Sequence, residues 1–170
     1  LTLMESDQIN HSSKISIEKK GGLFDVNSHP VTLDAMYNFG GIVAMGEGLG
    51  ELTLLSGGAS NGTISGAGSL VIQNGLFTIS GQNSYAGRPT LWGSSEMRAE
   101  AVDSFSNHSD LILKDSSILN LNGFANAIYS LSSDSTTSCV VTNGAILTIG
   151  NGGSYAGGIL GAGGLSVTGG

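Results

Sequence analysis

Ten short triplets in the chain share one pattern: apolar, then usually small and polar, then apolar. They are LTL (1–3), ISI (15–17), VTL (31–33), LTL (52–54), LVI (70–72), FTI (77–79), LIL (111–113), LNL (119–121), LTI (147–149) and LSV (165–167). The middle residue is Thr, Ser or Asn in eight of the ten. Alternation with period two makes a short strand with one buried and one wet face. Between the triplets the chain is full of Gly, Ser and Asn. A chain that writes the same small strand repeatedly buries the apolar edges by winding a coil.

The triplets start 7 to 34 residues apart, and the shorter intervals, about 8, are a spacing also found in sandwiches. Three features favour a coil. The turns rarely occupy the two-residue position of a tight hairpin. The repeats are long and internally similar. The strands are only three to five residues long, which suits the faces of a parallel solenoid. With roughly three strands per turn, the expectation is an all-β parallel β-helix of about seven coils. In each triplet the outer residues face inward. Leu52, Leu54, Leu70, Ile72, Phe77, Ile79, Leu111, Leu113, Leu119, Leu121, Leu147 and Ile149 are the expected core.

Composition agrees. Gly is 28 of 170 residues, only 11% are charged, and yet 39% are hydrophobic. The chain therefore has enough apolar mass for a core and is not a flexible Gly/Ser linker. The net charge of −7, with scattered Lys and Arg and only Lys19–Lys20 adjacent, argues against nucleic acid or an anionic membrane as partner. No stretch reaches the ~18–20 apolar residues of a membrane span. The single cysteine, Cys139, reads as a small buried apolar residue. Asn74, Asn122, Asn143 and Asn151 stand beside Gly at strand ends, where left-handed backbone is expected.

Self-comparison finds repeats. GGASNGTISGAGSLVIQNG (57–75) and GGSYAGGILGAGGLSVTGG (152–170) share nine of 19 positions. FTISGQNSYAG (77–87) matches LTIGNGGSYAG (147–157), and VTLDA (31–35) resembles LNLNG (119–123). One stretch departs: 88–110, with the only Trp and a run, Glu96–Val102, of helical propensity. It is expected as an irregular coil, a projecting loop or a short helix within a single domain spanning 1–170. The stretch 18–30 is also irregular.

These residues resemble the autotransporter-associated β-strand repeat. Ser80, Gly81, Asn83, Tyr85 and Gly87 sit where its Ser-Gly-x-Asn-x-Tyr-x-Gly motif would put them. Leu119, Leu121, Asn122 and Gly123 match its Leu-x-Leu-Asn-Gly block, and Gly163, Gly164 and Leu165 its Gly-Gly-Leu block. The likeness covers about 50–170. It implies a right-handed parallel β-helix from an AIDA-type passenger, displayed outside the bacterial outer membrane through a barrel not present in this chain. It further implies adhesion, self-association and biofilm formation, with a host-cell or neighbouring-cell protein or glycan, or a second copy, as partner. It implies no active site and no cofactor. The expectation is a fragment of a longer array.

Parallel β-helices also host polysaccharide lyases and hydrolases, so a carbohydrate-active protein is the alternative. Such chemistry needs clustered carboxylates. Glu96, Glu100 and Asp103 with Arg98 are the nearest thing to a cluster. His11, His29 and His108 are isolated, giving no metal-ligand spacing. GEGLG (46–50) lacks the Lys-Ser/Thr of a phosphate loop and reads as a turn. An ice-binding solenoid needs regular outward Thr rows, and Thr is too intermittent here. The candidate recognition residues are Trp92, Arg98, Tyr85 and Tyr155; for the two tyrosines, which hold equivalent positions in the repeat, packing at a corner is the favoured role over exposed contact.

Overall fold

Parallel strands stack in eight turns, one more than the sequence spacing predicts. The computed structural model describes residues 1–18, 20–48 and 50–169. Lys19 of the Lys19–Lys20 pair and Leu49 of the GEGLG turn lie outside them. Strands β1 (Lys14–Ile17), β2 (Leu23–Asp25) and β3 (Pro30–Leu33) make the first full coil. The second holds β4 (Ala35–Asn38), β5 (Ile42–Ala44) and β6 (Glu51–Leu54), and the third β7 (Gly57–Ser60), β8 (Thr63–Gly66) and β9 (Ser69–Ile72). The fourth holds β10 (Gly75–Ile79), β11 (Ser84–Tyr85) and β12 (Thr90–Leu91). The fifth has two strands, β13 (Ser95–Ala99) and β14 (Asp110–Leu113). The sixth holds β15 (Ile118–Asn120), β16 (Asn126–Ile128) and β17 (Ser130–Ser132). β18 (Cys139–Val141) and β19 (Ile146–Ile149) follow, then β20 (Gly158–Leu160) and β21 (Gly164–Val167).

Every pairing between these strands is parallel and joins one coil to the next. The first face is an eight-stranded sheet, β1-β4-β7-β10-β13-β15-β18-β20. A second face is the six-stranded sheet β3-β6-β9-β12-β14-β17. The remaining face is split into β2-β5-β8-β11 and β16-β19-β21, with the strandless 100–109 between them. The chain returns to the same face after 18 residues where Glu51 meets Ser69, and after 22 where Met36 meets Gly58. At ~4.8 Å per strand the eight coils make a rod roughly 35–40 Å long.

Alternation explains the core. All twelve residues expected to face inward are buried, and they stack in register: Val31, Leu52 and Leu70 in one column, Leu33, Leu54 and Ile72 in the next. Each such side chain contributes ~1.5–3 kcal/mol by burial. Thr2 alone of LTL (1–3) forms a bridge, to Asp25, while Leu3 caps the interior.

Two local expectations change. Glu96–Val102 is no helix: Met97 and Ala99 face inward and Glu96 and Arg98 outward in β13. Helical propensity there is outweighed because β10 and β15 already offer ladder partners on both sides. Of the four strand-end asparagines, Asn122 and Asn143 are left-handed, with φ of 50° and 48°. At Asn74 and Asn151 the following Gly75 and Gly152 take positive φ instead.

The sequence repeats also relate different faces. The 57–75 and 152–170 match sets β8 on β20 and β9 on β21, each pair drawn from two sheets. The repeated unit is one strand with its corner, about a third of a coil, rather than a whole turn.

Candidate ligand-binding groove

The corner between the first face and the β2-β5-β8-β11 sheet is built from a column of glycines. Leu23 pairs with Ile42, Ile42 with Thr63, and Ser65 with Ser84, so Gly22, Gly41, Gly62 and Gly81 stand above one another. A Cβ on Gly62 would lie 2.2 Å from the Gly41 carbonyl oxygen, and one on Gly81 would lie 1.8 Å from that of Gly62. Only hydrogen fits there. Beside the column, buried Asn38 turns its side chain onto the corner. Its Oδ1 accepts from the Gly41 N–H at 2.8 Å, and its Nδ2 donates to the Gly41 carbonyl at 3.2 Å. The same amide reaches Ser60 Oγ in the next coil at 3.3 Å.

This corner displays aromatic surface. In β4, Met36 and Asn38 point inward, so Tyr37 points out. The turn held by Asn38 then leaves Phe39 about half exposed, at 50%. The two rings lie nearly parallel, 11° apart with centroids at 6.4 Å, in the range of offset stacking. Phe39 and exposed Ile42 flank the glycine floor, and Asn61, Thr63, Gln82 and Lys20 supply polar groups. The groove holds about 780 Å³, within the ~300–1,000 Å³ typical of small-ligand sites. Lys20 is the one ionisable group among its described lining residues. That lining therefore lacks the paired carboxylates that glycoside cleavage requires. Among the described residues no group of three or more His, Cys, Asp or Glu is arranged to hold a metal.

The residues singled out in the sequence are scattered. Tyr85 is not on the surface: it is 1% exposed, the largest fully buried side chain. Burial pushes its phenol up to about 12, partly offset by a hydrogen bond from the Ser106 backbone. Tyr155 is half-buried and donates to the Gly158 carbonyl at 2.9 Å. Burial and the nearby Cys139 raise its phenol despite hydrogen bonds at Ser138 and Val140. Both tyrosines thus pack against the core from paired backbone: Tyr85 ends β11 opposite Gly66, and Tyr155 bridges to Ser133.

Trp92 is exposed, at 42%, just after β12, with Lys114 Nζ 4.6 Å from its ring centroid. Arg98 lies on the outer side of β13 and donates from Nε to Glu96 Oε1 at 2.8 Å. Burial works to raise the Glu96 carboxyl, but hydrogen bonds from Arg98 and Asn120, with the guanidinium charge, hold it below its ordinary value. Trp92 and Arg98 belong to different faces and do not meet in one site. Asp103 sits apart in the strandless loop, so Glu96, Glu100 and Asp103 do not line one strand.

Tyr37 and Phe39 went unremarked in the sequence. Their signal was present in Tyr37-Asn-Phe-Gly-Gly: two aromatics at spacing two, ended by a glycine pair. Compared with known proteins, the chain matches no family model, no curated protein and no solved structure.

Proposed function

We propose that this chain is a non-catalytic adhesive rod that displays a glycan-binding groove on one corner. The observation that carries the reading is the stacked Tyr37–Phe39 pair beside a floor of bare glycine backbone. A sugar ring has apolar C–H faces and a rim of hydroxyls. The Phe39 ring, which lines the groove and is backed by the stacked Tyr37, takes the face, while Asn61, Gln82 and Thr63 take the hydroxyls. Exposed apolar area of this kind marks a contact site more often than an unused surface. The rod itself supplies rigidity, since each coil is laddered to the next. We further propose that it works outside a bacterial cell as part of a surface-displayed passenger. The Ser80-Gly-Gln-Asn-Ser-Tyr-Ala-Gly87 motif supports this placement, with its likeness to the autotransporter-associated repeat.

The test is a glycan array probed with the purified chain and with Tyr37→Ala and Phe39→Ala. The expected result is retention on neutral glycans that each substitution weakens at least tenfold, with unchanged melting. An array without hits, or one whose hits survive both substitutions, refutes the assignment.

A further inference from the structure

A second cleft, on the six-stranded face, has different chemistry. It holds about 390 Å³ and is lined by Arg88, Ile112, Lys114, Ser132, Asp134 and Ser154 among others. Arg88 and Lys114 are two of only six Lys and Arg in a chain of net charge −7. Neither forms an ion pair with a described residue. Both line this one cleft, where Lys114 meets the Trp92 ring and neither cation is neutralised by an ion pair with a described residue.

The surrounding groups narrow the occupant. Lys114 is held from one side by the Trp92 ring. Ile112 lies beside Ser132 in register and forms an apolar floor. Two carboxylates near the cleft are already engaged: Asp110 accepts from Ser130 Oγ at 2.6 Å, and Asp115 accepts from the Gly93 N–H at 3.1 Å. Asp134 is exposed at the rim and is free to accept hydroxyls. It also repels a dense dianion such as a phosphate monoester. A ligand that satisfies all of these has one carboxylate for the cations, hydroxyls for Asp134 and the serines, and an apolar ring face for Ile112. Arginine's planar fork matches a carboxylate bidentately.

We propose that the Arg88–Lys114 cleft is a separate binding site for a uronic-acid residue of an acidic polysaccharide. It lies on another face from the Phe39 groove and does not depend on it. The charge complementarity makes binding salt-sensitive.

The experiment is calorimetric titration of the intact chain with a galacturonate oligomer and with its methyl ester, which keeps shape and removes charge. The expected result is binding of the acid at least tenfold tighter than the ester, weakening as salt rises. Arg88→Gln and Lys114→Gln each weaken it about fivefold or more, the pair abolishes it, and Phe39→Ala leaves it unchanged. In the unsubstituted chain, amide NMR signals of Ile112 and Ser132 shift on titration while those of Gly62 and Gly81 do not, a readout independent of variant folding. Equal binding of the ester, wild-type binding by the double variant, no binding of the acid, or tighter binding of a sulfated chain each overturns the proposal.

Discussion

Replacing Gly81 by alanine puts a methyl group 1.8 Å from the Gly62 carbonyl oxygen of the coil below. A carbon and a carbonyl oxygen ordinarily approach to ~3.3 Å. The two coils must therefore part by roughly 1.5 Å locally, against a strand spacing of ~4.8 Å. Gly81 is not in the left-handed region, so the effect is contact alone. Two hydrogen bonds cross the point of separation: the Ile64 N–H to Asn83 Oδ1 at 2.6 Å, and the Ser80 N–H to the Ser60 carbonyl at 2.9 Å. Losing both costs about 2 kcal/mol, and overpacking adds about 1–3 kcal/mol. The expected loss is about 3–5 kcal/mol, a large part of a typical domain's ~5–15 kcal/mol. Gly158→Ala is the control, since a Cβ there meets nothing within 4 Å and the backbone is not left-handed. It is expected to stay within about 0.5 kcal/mol of the parent. Urea unfolding followed by far-ultraviolet circular dichroism and Trp92 fluorescence measures both. A Gly81→Ala loss under about 1 kcal/mol, or equal effects at the two sites, refutes the stacked-glycine reasoning.

Three further outcomes are expected. Asn83 accepts from the Ile64 N–H at 2.6 Å and donates to the Gly81 and Ser104 carbonyls at 2.7 Å each, so Asn83→Ala is expected to cost about 2–4 kcal/mol in urea unfolding. The Tyr85 phenol keeps its proton to about 12 when folded but releases it near 10 when unfolded, so its contribution to stability is full below pH 10 and is lost as pH rises toward 12. The slope is at most about 1.4 kcal/mol per pH unit, and Tyr85→Phe is expected to remove that part of the alkaline decline. Cys139 has its thiol raised by burial and by the Glu96 carboxylate, so a thiol reagent at pH 8 is expected to modify it more slowly than free cysteine, with Glu96→Gln partly restoring the rate.

Period-two alternation carried the fold, because it is decided residue by residue. Leu52, Leu54, Leu70 and Ile72 are buried for the reason their triplets announce. Phase around the coil was not legible. The faces use similar strands, so a strand of one face matches a strand of another as well as its own column mate. The coil count depends on corners, and corners are set by contacts between coils. Gly41, Gly62 and Gly81 are required by carbonyls some 20 residues away, a constraint no local pattern expresses. The completeness of Tyr85's burial was illegible for the same reason. A tyrosine in a Ser-Tyr-Ala-Gly turn looks exposed until the next coil, bringing Ser106, closes over it. Helical propensity in Glu96–Val102 lost to ladder partners that only the stack provides. Of the site residues, Trp92 was found by rarity alone. Lys114 and Arg88 lie at distant positions that parallel registry brings to one cleft.

The central claim is that consecutive coils stand in parallel register. Thr32, Thr53, Val71, Thr90, Ile112 and Ser132 form one row across the six-stranded sheet. Spin labels at Thr32 paired in turn with Thr90, Ile112 and Ser132, in a Cys139→Ser background, measure that row by pulsed electron resonance. The predicted backbone separations are about 14, 19 and 24 Å, rising by one strand spacing per coil. Separations that fail to grow with coil number, or that fall between Thr90 and Ser132, would contradict the stack and with it both proposed binding sites.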